Sequence, residues 1–534
     1  MRKLSKWIVV AAILALPPEA SAVVSRFGQQ LVVQAGISGP EEDDQFGLTF
    51  AVGDFDDDGY PDLAIGTPQE DFTDVLNSGA VSVHYGGPGG LGTRIDGYTQ
   101  GGGQVPDELA VADQFGKSLA AGDFDGDGID DLAIGAWDDV DGVTQAGSVT
   151  VLFGAPSGLN ELGGAQWWTQ ASPGVSGSPA NNDFFGGHLV AGDFDGSGED
   201  DLAIGASSDN EAGSNTGSVT VLYGSPAGLV TTGVDFLTSG TIACASVDAQ
   251  EGFGTVLAAG DFDADGADDL ALGVPDESHF PGNVTIDNAG MVIVLPGAGT
   301  GGVNSSTAFC LWPGVAMNGG TLPGEREANA RFGTSLAAGN VNRDVALGRI
   351  HDDLAIGEPF ADVDGEADAG RVYIVAGSVS GLSATFSARF DRGDIPGEDL
   401  GVGAYFGRNL AMGRPVPGAS MDLLVQRIEG GGNYAGTVTV VPGSSGGLIL
   451  SQAIALSSAD PGLLIAPAET DDVFGVAMAI GDFDDDGFRE VAISAPGRTA
   501  AGVDNAGAVL VLRGALFTDD FETGDDRRWS SATP

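Results

Sequence analysis

The sequence predicts an all-β fold, a seven-bladed β-propeller closed by an N-terminal strand that completes the last blade. Three observations support this: a repeated Phe-Gly pair, about four strand-like segments per repeat, and a last repeat that lacks one segment. Successive pairs are separated by 69, 70, 68, 79, 74 and 68 residues, a period longer than that of most solenoids and typical of propeller blades. The Phe residues of the seven pairs are Phe46, Phe115, Phe185, Phe253, Phe332, Phe406 and Phe474.

The strands of one blade can be predicted from the second repeat. Its strand-like segments are residues 118–124, 131–136, 147–153 and, with a weaker pattern, 165–170. All are short, contain β-branched or aromatic residues, and are bounded by Gly, Asp or Pro. No window has a long apolar period of 3.6 residues, so we expect helices to be nearly absent.

Closure of the ring follows from the two chain ends. The seventh repeat stops after its third segment, residues 508–512, whereas a segment of the missing fourth type, residues 30–34, precedes the first Phe-Gly pair. Pairing these two segments would remove the open sheet edges that expose β-proteins to aggregation. We therefore expect the N-terminal segment to be the outer strand of the last blade.

Between the first and second strands, five repeats carry a loop with oxygen-bearing side chains at positions 1, 3, 5 and 9 and Gly at position 6. Such spacing gathers the oxygen ligands that a hard cation requires, with a main-chain carbonyl at position 7, and predicts calcium. An EF-hand would place Glu at position 12 and continue as a helix, but position 12 of the first loop is Ile65, inside a strand-like run. The predicted ligands are Asp54, Asp56, Asp58, Tyr60, Asp62, Asp123, Asp125, Asp127, Ile129, Asp131, Asp193, Asp195, Ser197, Glu199, Asp201, Asp261, Asp263, Asp265, Ala267, Asp269, Asp482, Asp484, Asp486, Phe488 and Glu490.

The alternative to a metal site is an acidic, solvated turn. That interpretation fits one copy but not five copies with one spacing, so the sequence predicts about five Ca²⁺ ions per chain. In the fifth repeat, Asn340 and Asn342 replace the first two aspartates, and an insertion separates Asp344 from Asp353, which reduces the capacity of this loop for ligands. The sixth repeat retains only Asp422, and we expect it to be metal-free, with Arg414 paired to that acid.

The combined pattern resembles the FG-GAP repeat of the integrin α-subunit headpiece and its secreted bacterial relatives. It consists of Phe-Gly, then Gly-Asp-Phe-Asp-x-Asp-Gly-x-x-Asp-Leu-Ala-Ile-Gly, then Gly-Ser-Val-x-Val-Leu-x-Gly, and covers residues 27–515. The resemblance implies a seven-bladed propeller that holds calcium in loops on one face and engages partner proteins with the other. It implies a calcium-stabilised recognition or scaffold module without naming a ligand.

The remaining chain suggests export. Residues 1–22 have a basic start and an apolar run and are typical of a cleaved signal peptide, residues 23–515 form the propeller, and residues 516–534 form an acidic-aromatic tail. No later segment is apolar for long enough to be transmembrane, so we expect a secreted protein that is extracellular, at the cell surface or periplasmic. A formal net charge of −55 argues against binding to nucleic acid or anionic membranes.

The basic residues are unevenly distributed and suggest where a partner could bind. Ten of the 21 lie in the sector 326–427, a candidate surface for an extracellular protein or an acidic glycan. The alternative is that these arginines replace calcium charge and solvate loops. The ten are Arg326, Arg331, Arg343, Arg349, Arg371, Arg389, Arg392, Arg408, Arg414 and Arg427.

We predict an adhesion or protein-interaction module rather than an enzyme. The four histidines are scattered and no catalytic motif is present, although a hydrolase would be indicated by an acid pair outside the calcium loops that faces the central channel. A glycan-binding propeller and a structural component of an extracellular matrix are the alternatives. Whether Cys244 and Cys310 form a disulfide depends on geometry that the sequence does not give.

Overall fold

The computed structural model describes the propeller region of the chain. The described residues are 28–513 without 36–37, 73–74, 102–104, 107, 139, 141, 160–163, 212–214, 243, 245–251, 281–283, 300, 344, 347–348, 414–419, 429–434, 461–462, 466, 470 and 488. The predicted signal segment 1–22, the tail 516–534 and the predicted partner Arg414 lie outside them. Among the described residues there is no helix of the length and apolar character that crossing a membrane requires.

Seven four-stranded antiparallel sheets form the fold, as the sequence predicts. The innermost strands are Thr49–Gly53, Ser118–Gly122, Phe185–Gly192, Val256–Gly260, Ser335–Gly339, Leu410–Gly413 and Met478–Gly481. The second strands are Asp62–Thr67, Asp131–Ala136, Asp201–Ala206, Asp269–Val274, Asp353–Glu358, Asp422–Arg427 and Glu490–Ala495.

The outer half of each blade consists of a third strand and a shorter or more irregular fourth one. The third strands are Ala80–His84, Ser148–Leu152, Ser218–Tyr223, Met291–Leu295, Arg371–Ala376, Thr437–Val441 and Ala508–Arg513. The outer strands of blades 1 to 7 are Ile95–Tyr98, Gln166–Trp168, Val230–Leu237, Phe309–Leu311, Ser383–Phe390, Ile454–Ser457 and Gly28–Val32.

The blades form a closed ring. Each innermost strand contacts the innermost strands of both neighbouring blades, and the last of the seven contacts the first. All seven line a central cavity of about 480 Å³. Strand Gly28–Val32 pairs antiparallel with Ala508–Arg513 and completes blade 7, so the predicted closure is confirmed.

The core lies between blades, where neighbouring sheets pack face to face. The second strands are buried along their whole length, which explains their continuous apolar runs such as Leu63-Ala64-Ile65. The Phe of every Phe-Gly pair is also buried and packs beside the Gly that precedes the third strand of the preceding blade. Gly79, with a φ of +84°, and Gly507, with a φ of +87°, leave no room for a Cβ against Phe115 and Phe46. The contact between Gly507 and Phe46 joins blade 7 to blade 1.

The other elements are small. Three two-stranded hairpins pair His279–Phe280 with Val284–Thr285, Ala316–Met317 with Gly320–Thr321, and Val345–Ala346 with Arg349–Ile350. Within the described ranges, the helical content is three short 3₁₀ turns at Ser239–Thr241, Arg392–Asp394 and Leu450–Gln452. A disulfide joins Cys244 to Cys310, with Cα atoms 5.9 Å apart, and links the connection after blade 3 to the outer strand of blade 4.

Candidate metal centres

The five acidic loops lie on one face of the propeller, which we call the loop face. Each joins an innermost strand to a second strand, and in an up-and-down blade such connections all emerge on the same side. Backbone hydrogen bonds join successive loops: Asp130 N donates to Asp54 O at 3.2 Å, and Asp200 N to Asp123 O at 2.9 Å. The connections between second and third strands and those between blades lie on the opposite face.

Within a loop, hydrogen bonds from the backbone draw the carboxylates inward. In the second loop, Asp123 Oδ1 accepts from Asp127 N at 3.0 Å and Asp123 Oδ2 accepts from Gly128 N at 2.9 Å. Asp125 Oδ1 also accepts from Asp127 N, at 3.2 Å, and Asp127 Oδ1 accepts from Ile129 N at 3.0 Å. The same pattern holds position 1 against positions 5 and 6 in the other four loops.

These hydrogen bonds bring together three acids in each loop. In every set, one oxygen from each carboxylate lies within 4.8 Å of the others. Positions 1, 3 and 5 converge in three loops, and positions 1, 3 and 9 converge in the other two. The sets are Asp54, Asp56 and Asp58; Asp123, Asp125 and Asp127; Asp193, Asp195 and Asp201; Asp261, Asp263 and Asp265; and Asp482, Asp484 and Glu490.

The donor chemistry of these sets fits a hard divalent cation. All the gathered side-chain ligands are carboxylate oxygens, the ligand type that Ca²⁺ prefers. Asp56 Oδ1 and Glu490 Oε1 are buried and accept no hydrogen bond, although a buried oxygen without a partner costs free energy. Burial and the neighbouring Asp58 raise the pKa of Asp56, and burial and Asp265 raise that of Asp263. A bound cation would relieve both the repulsion and the missing contacts.

The acid at position 9 has a second role that does not involve a metal. Asp62 Oδ2 accepts from Phe55 N at 2.9 Å and Asp62 Oδ1 accepts from Gly86 N at 2.8 Å, which ties the loop to the end of the third strand. Asp131, Asp201 and Asp269 make the same two contacts. Burial raises the pKa of all four of these acids to about 8.

The remaining predicted ligands lie in the same loops. Ser197 Oγ donates to Glu199 O at 3.5 Å, so in the third loop the position-5 hydroxyl and the position-7 carbonyl are neighbours. Tyr60, Ile129 and Ala267 donate their backbone N–H to the position-5 carboxylate at 3.0, 3.0 and 2.9 Å. Coordination by their carbonyl oxygens stays a prediction, and Phe488 lies outside the described residues.

In the first loop a guanidinium already contacts one of the carboxylates. Arg94 Nη1 lies 2.5 Å from Asp56 Oδ2, and the guanidinium carbon lies 3.7 Å from the centre of the Tyr85 ring. The predicted ligand Asp56 therefore keeps only Oδ1 without a protein partner.

In the two degenerate loops, the acid at position 9 accepts hydrogen bonds from amide groups. In the fifth loop, Asn342 Nδ2 donates to Asp353 Oδ1 at 3.2 Å and Asn340 Nδ2 donates to His351 O at 2.5 Å. In the sixth loop, Asp422 accepts from Gly443 N at 3.0 Å, and burial raises its pKa to about 7. Both position-9 acids thus keep a contact that serves the fold, although the aspartates at positions 1 and 3 of these loops are missing.

Sequence reasoning missed the acid at position 8. Asp130 Oδ2 accepts from Asp54 N at 2.8 Å, and Asp200 Oδ2 accepts from Asp123 N at 3.0 Å, so each such acid links its loop to the preceding one. Asp268 does the same for blade 3, and burial together with Asp352 raises its pKa to about 7. The doubled Asp before the Leu-Ala-Ile or Leu-Ala-Leu run of repeats 2 to 5 was the available signal. These are acids outside the predicted ligand set, and each of the three has one oxygen bonded to a neighbouring blade.

Much of the arginine-rich sector 326–427 lies on the opposite face, and several of its arginines contact acids of the same chain. Arg371 lies 3.0 Å from Glu327 and 3.4 Å from the buried Glu358. Arg392 and Arg427 both contact Glu398, and although burial raises the pKa of Glu398, these guanidiniums hold it below its usual value. Arg392 begins the Arg-Gly-Asp tripeptide, which forms a 3₁₀ turn.

Comparison with known proteins supplies the remaining findings. The FG-GAP repeat model matches residues 46–84, 115–152, 253–295 and 474–512. Relatives include phosphatidylinositol-glycan-specific phospholipase D of Rattus norvegicus, 30% identical over 187 residues, 34% of this chain and 21% of that one. Integrin alpha-5 of Xenopus laevis is 32% identical over 180 residues, 32% of this chain and 15% of that one. The chain spans about a fifth or less of the length of these curated relatives.

The matching solved structures have lower sequence identity to this chain than these relatives have. The Dos1 propeller has a TM-score of 0.40 and 11% identity, covering 89% of this chain and 95% of that chain. The crystal structure of rhamnogalacturonan lyase YesW has a TM-score of 0.33 and 13% identity, covering 78% of this chain and 69% of that chain.

Proposed function

This chain is a seven-bladed propeller of FG-GAP repeats related to integrin alpha subunits, and we propose that it is an exported, calcium-binding module for adhesion to an extracellular protein. Export is supported by the basic start and apolar run of residues 1–22. Extracellular calcium is millimolar, which suits sites with dissociation constants of roughly 10⁻⁴ to 10⁻³ M.

The observation that carries the proposal is the convergence of three carboxylates in each of five loops on one face, within 4.8 Å of one another. Three negative charges at this separation oppose folding of the metal-free chain, so calcium binding and folding should be coupled. In this proposal calcium rigidifies the loop face, while the opposite face is left to bind the partner.

The partner surface that we propose is the arginine-rich sector on the opposite face. There a cavity of about 620 Å³ is lined by Glu325, Arg326, Glu327, Arg371 and Arg389. Its arginines alternate with acids of the same chain, which offers a partner fixed pairs of opposite charge rather than a uniform positive field. Such a pattern favours a protein partner with mixed charges over a polyanionic glycan.

Calcium titration by calorimetry, with the metal content counted after dialysis, tests the first half of the proposal. We expect about five ions per chain. Asp127→Asn should weaken binding at one of these sites, because the substitution keeps the position-5 hydrogen bond but exchanges a charged ligand for a neutral one. Asp364→Asn, at an exposed acid on the opposite face, is the matched control and should bind as many ions as the unmodified protein. Binding of one ion or none would refute the calcium assignment.

Arrays of extracellular proteins and of glycans, probed in calcium and again in chelator, test the second half. Support would come from calcium-dependent binding to a protein, if charge reversal at the partly exposed Arg331 or at the exposed Arg408 weakens that binding. Binding to acidic glycans alone would support the glycan alternative, and self-association in calcium without other binding would favour a matrix component.

A further inference from the structure

The junctions between blades are filled in a recurrent way at their loop-face end. Three side chains meet there: the Phe at position 2 of the acidic loop, the residue at the end of the third strand, and an apolar residue from the next blade's connection between its third and outer strands. The trios in the first three junctions are Phe55, Tyr85 and Leu159; Phe124, Phe153 and Leu229; and Phe194, Tyr223 and Val303.

The aromatic side chain at the end of the third strand fills the junction, and we call this side chain the plug. The rings of Tyr85, Phe153 and Tyr223 lie so close to Gly158, Gly228 and Gly302 that a methyl group on any of these glycines would overlap them. In the closing junction, the Arg513 guanidinium lies in the same way against Gly90. These four junctions have no room for another group at this position.

The junction between blades 5 and 6 keeps the backbone frame but has lost two of these side chains. Ser444 N donates to Val341 O at 3.2 Å, as Ser225 N donates to Phe124 O at 3.2 Å in the second junction. However, Val341 replaces the loop Phe and Ala376 replaces the plug. At Gly447, the counterpart of the plugged glycines, an added Cβ would meet no atom within 4 Å.

The two smaller side chains leave a cavity of about 400 Å³. Its apolar lining includes Val341, Ile374, Ala376, Phe390, Leu448 and Leu450. This volume is in the range of small-molecule pockets, and an apolar cavity of ~150 Å³ is enough to hold benzene. The space corresponds to two missing aromatic side chains, so its shape suits a ring.

Charge at the cavity is opposite to that of the molecule. The lining residues include Arg343, which is exposed beside the apolar floor, and include no carboxylate, in a chain whose net charge is −55. In the metal-binding loops the corresponding position 4 is occupied by Asp, Gly or Ala. Arg389 also borders the cavity, but its guanidinium lies near Gly324 on the blade 4 side and does not serve this site.

We propose that this cavity binds a small aromatic carboxylate, with its ring on the apolar floor and its carboxylate at Arg343. A guanidinium pairs with a carboxylate through parallel hydrogen bonds, and burying a ring gains free energy in proportion to its apolar area. The site uses none of the predicted calcium ligands. It is therefore independent of the proposed adhesion function.

Calorimetric titration of the full chain with 3-phenylpropanoate, in calcium-containing buffer, tests the proposal. The neutral 3-phenylpropan-1-ol and the variant Arg343→Gln should each weaken binding by about tenfold, the loss of roughly 1.4 kcal/mol. Asp364→Asn, at an exposed acid on the opposite face, is the control for a change of surface charge and should leave the affinity unchanged. Ala376→Tyr restores the plug of blades 1 and 3, so it should abolish binding and raise the melting temperature.

Three outcomes would overturn the proposal. The unmodified protein could show no binding of 3-phenylpropanoate, or Ala376→Tyr could bind it as well as the unmodified protein does. Binding could also occur only after removal of residues 516–534, which would identify the acidic-aromatic tail as the occupant. The melting temperature of Ala376→Tyr shows that this variant has folded, so loss of binding cannot be mistaken for loss of structure.

Discussion

At the scale of single residues, the acid at position 9 serves the fold as well as the proposed ion. Its two oxygens each accept a backbone N–H in the first four loops, and the fifth loop keeps both contacts through Asp353. Position 5, by contrast, is exposed in the second loop. The two acids should therefore differ in their dependence on calcium.

Substitution of one acid of each type should separate these roles. Asp131→Ala leaves Phe124 N and Gly154 N without their acceptor, so we expect it to cost roughly 2–4 kcal/mol of unfolding free energy in chelator as well as in calcium. Asp127→Asn should lower stability only in calcium. Urea unfolding under both conditions measures this, and equal losses for the two variants in chelator would contradict it.

Glu70 should make stability depend on pH. It is fully buried, accepts hydrogen bonds from Gln34 and Ser38, and lies near Asp44 and Glu41. Burial raises its pKa from 4.5 to about 7, so between these values the unfolded chain releases the proton first and stability falls as pH rises. The pKa of Asp44 is raised to about 6, also by burial, so it adds to the fall.

Glu70→Gln should remove the part of the fall in stability with rising pH that Glu70 causes. Relative to the unmodified protein, we expect the variant to gain roughly 1–3 kcal/mol of unfolding free energy between about pH 5 and about pH 8. Urea midpoints at the two pH values measure the difference, and the contributions of all other acids cancel in the comparison. A pH-independent difference would show that folding does not raise the pKa of Glu70, so that the carboxylate is ionised in the folded and the unfolded chain throughout this range.

At the scale of elements, the disulfide fixes a connection that the sheets leave open. It joins the connection after blade 3 to the outer strand Phe309–Leu311 and closes a loop with a sequence separation of 66. Closing a loop of this length restricts the unfolded chain and contributes about 4 kcal/mol in the chain-entropy model. Cys244→Ser/Cys310→Ser should therefore lower the melting temperature, and reductant should lower that of the unmodified protein but not of the variant.

Paired strands could be predicted where each of the two strands has a recognisable pattern in the sequence. The second strand of blade 2 was predicted at 131–136 and is Asp131–Ala136, because an acid and a small residue bound its apolar run. The outer strand predicted at 165–170 is only Gln166–Trp168, and the closing strand predicted at 30–34 is Gly28–Val32. Outer strands have one partner, and for the closing strand that partner lies at the far end of the chain.

The acidic clusters of the loops were predictable for a related reason, and the cavity was not. The spacing of the predicted ligands is a local feature of the sequence, so the acids at positions 1, 3 and 5 could be recognised within one nine-residue loop. The role of Asp130 depends on a contact with the preceding blade, and the cavity beside Ala376 is formed by four segments of blades 5 and 6. The sequence shows that a buried strand contains a small residue such as Ala376, but it does not show whether the neighbouring side chains fill the space beside that residue.

At the scale of the whole molecule, five closely spaced sets of carboxylates lie on one face of a closed ring. Five sets of three carboxylates lie on the loop face of a chain with a net charge of −55. Five divalent cations would neutralise about ten charges where they lie closest together. The metal-free ring should therefore be held together by its apolar junctions against electrostatic repulsion.

This repulsion predicts different effects of salt with and without calcium. In chelator, raising NaCl from about 0.05 to about 0.5 M should increase the melting temperature by a few degrees, because screening weakens repulsion between loops. In calcium the increase should be smaller, since the ions already neutralise the loops. Screening acts weakly over the 4.8 Å within one loop, so salt should not restore the stability given by calcium. Thermal unfolding at several salt concentrations measures both slopes, and equal slopes would mean that the loops do not hold the ions we propose.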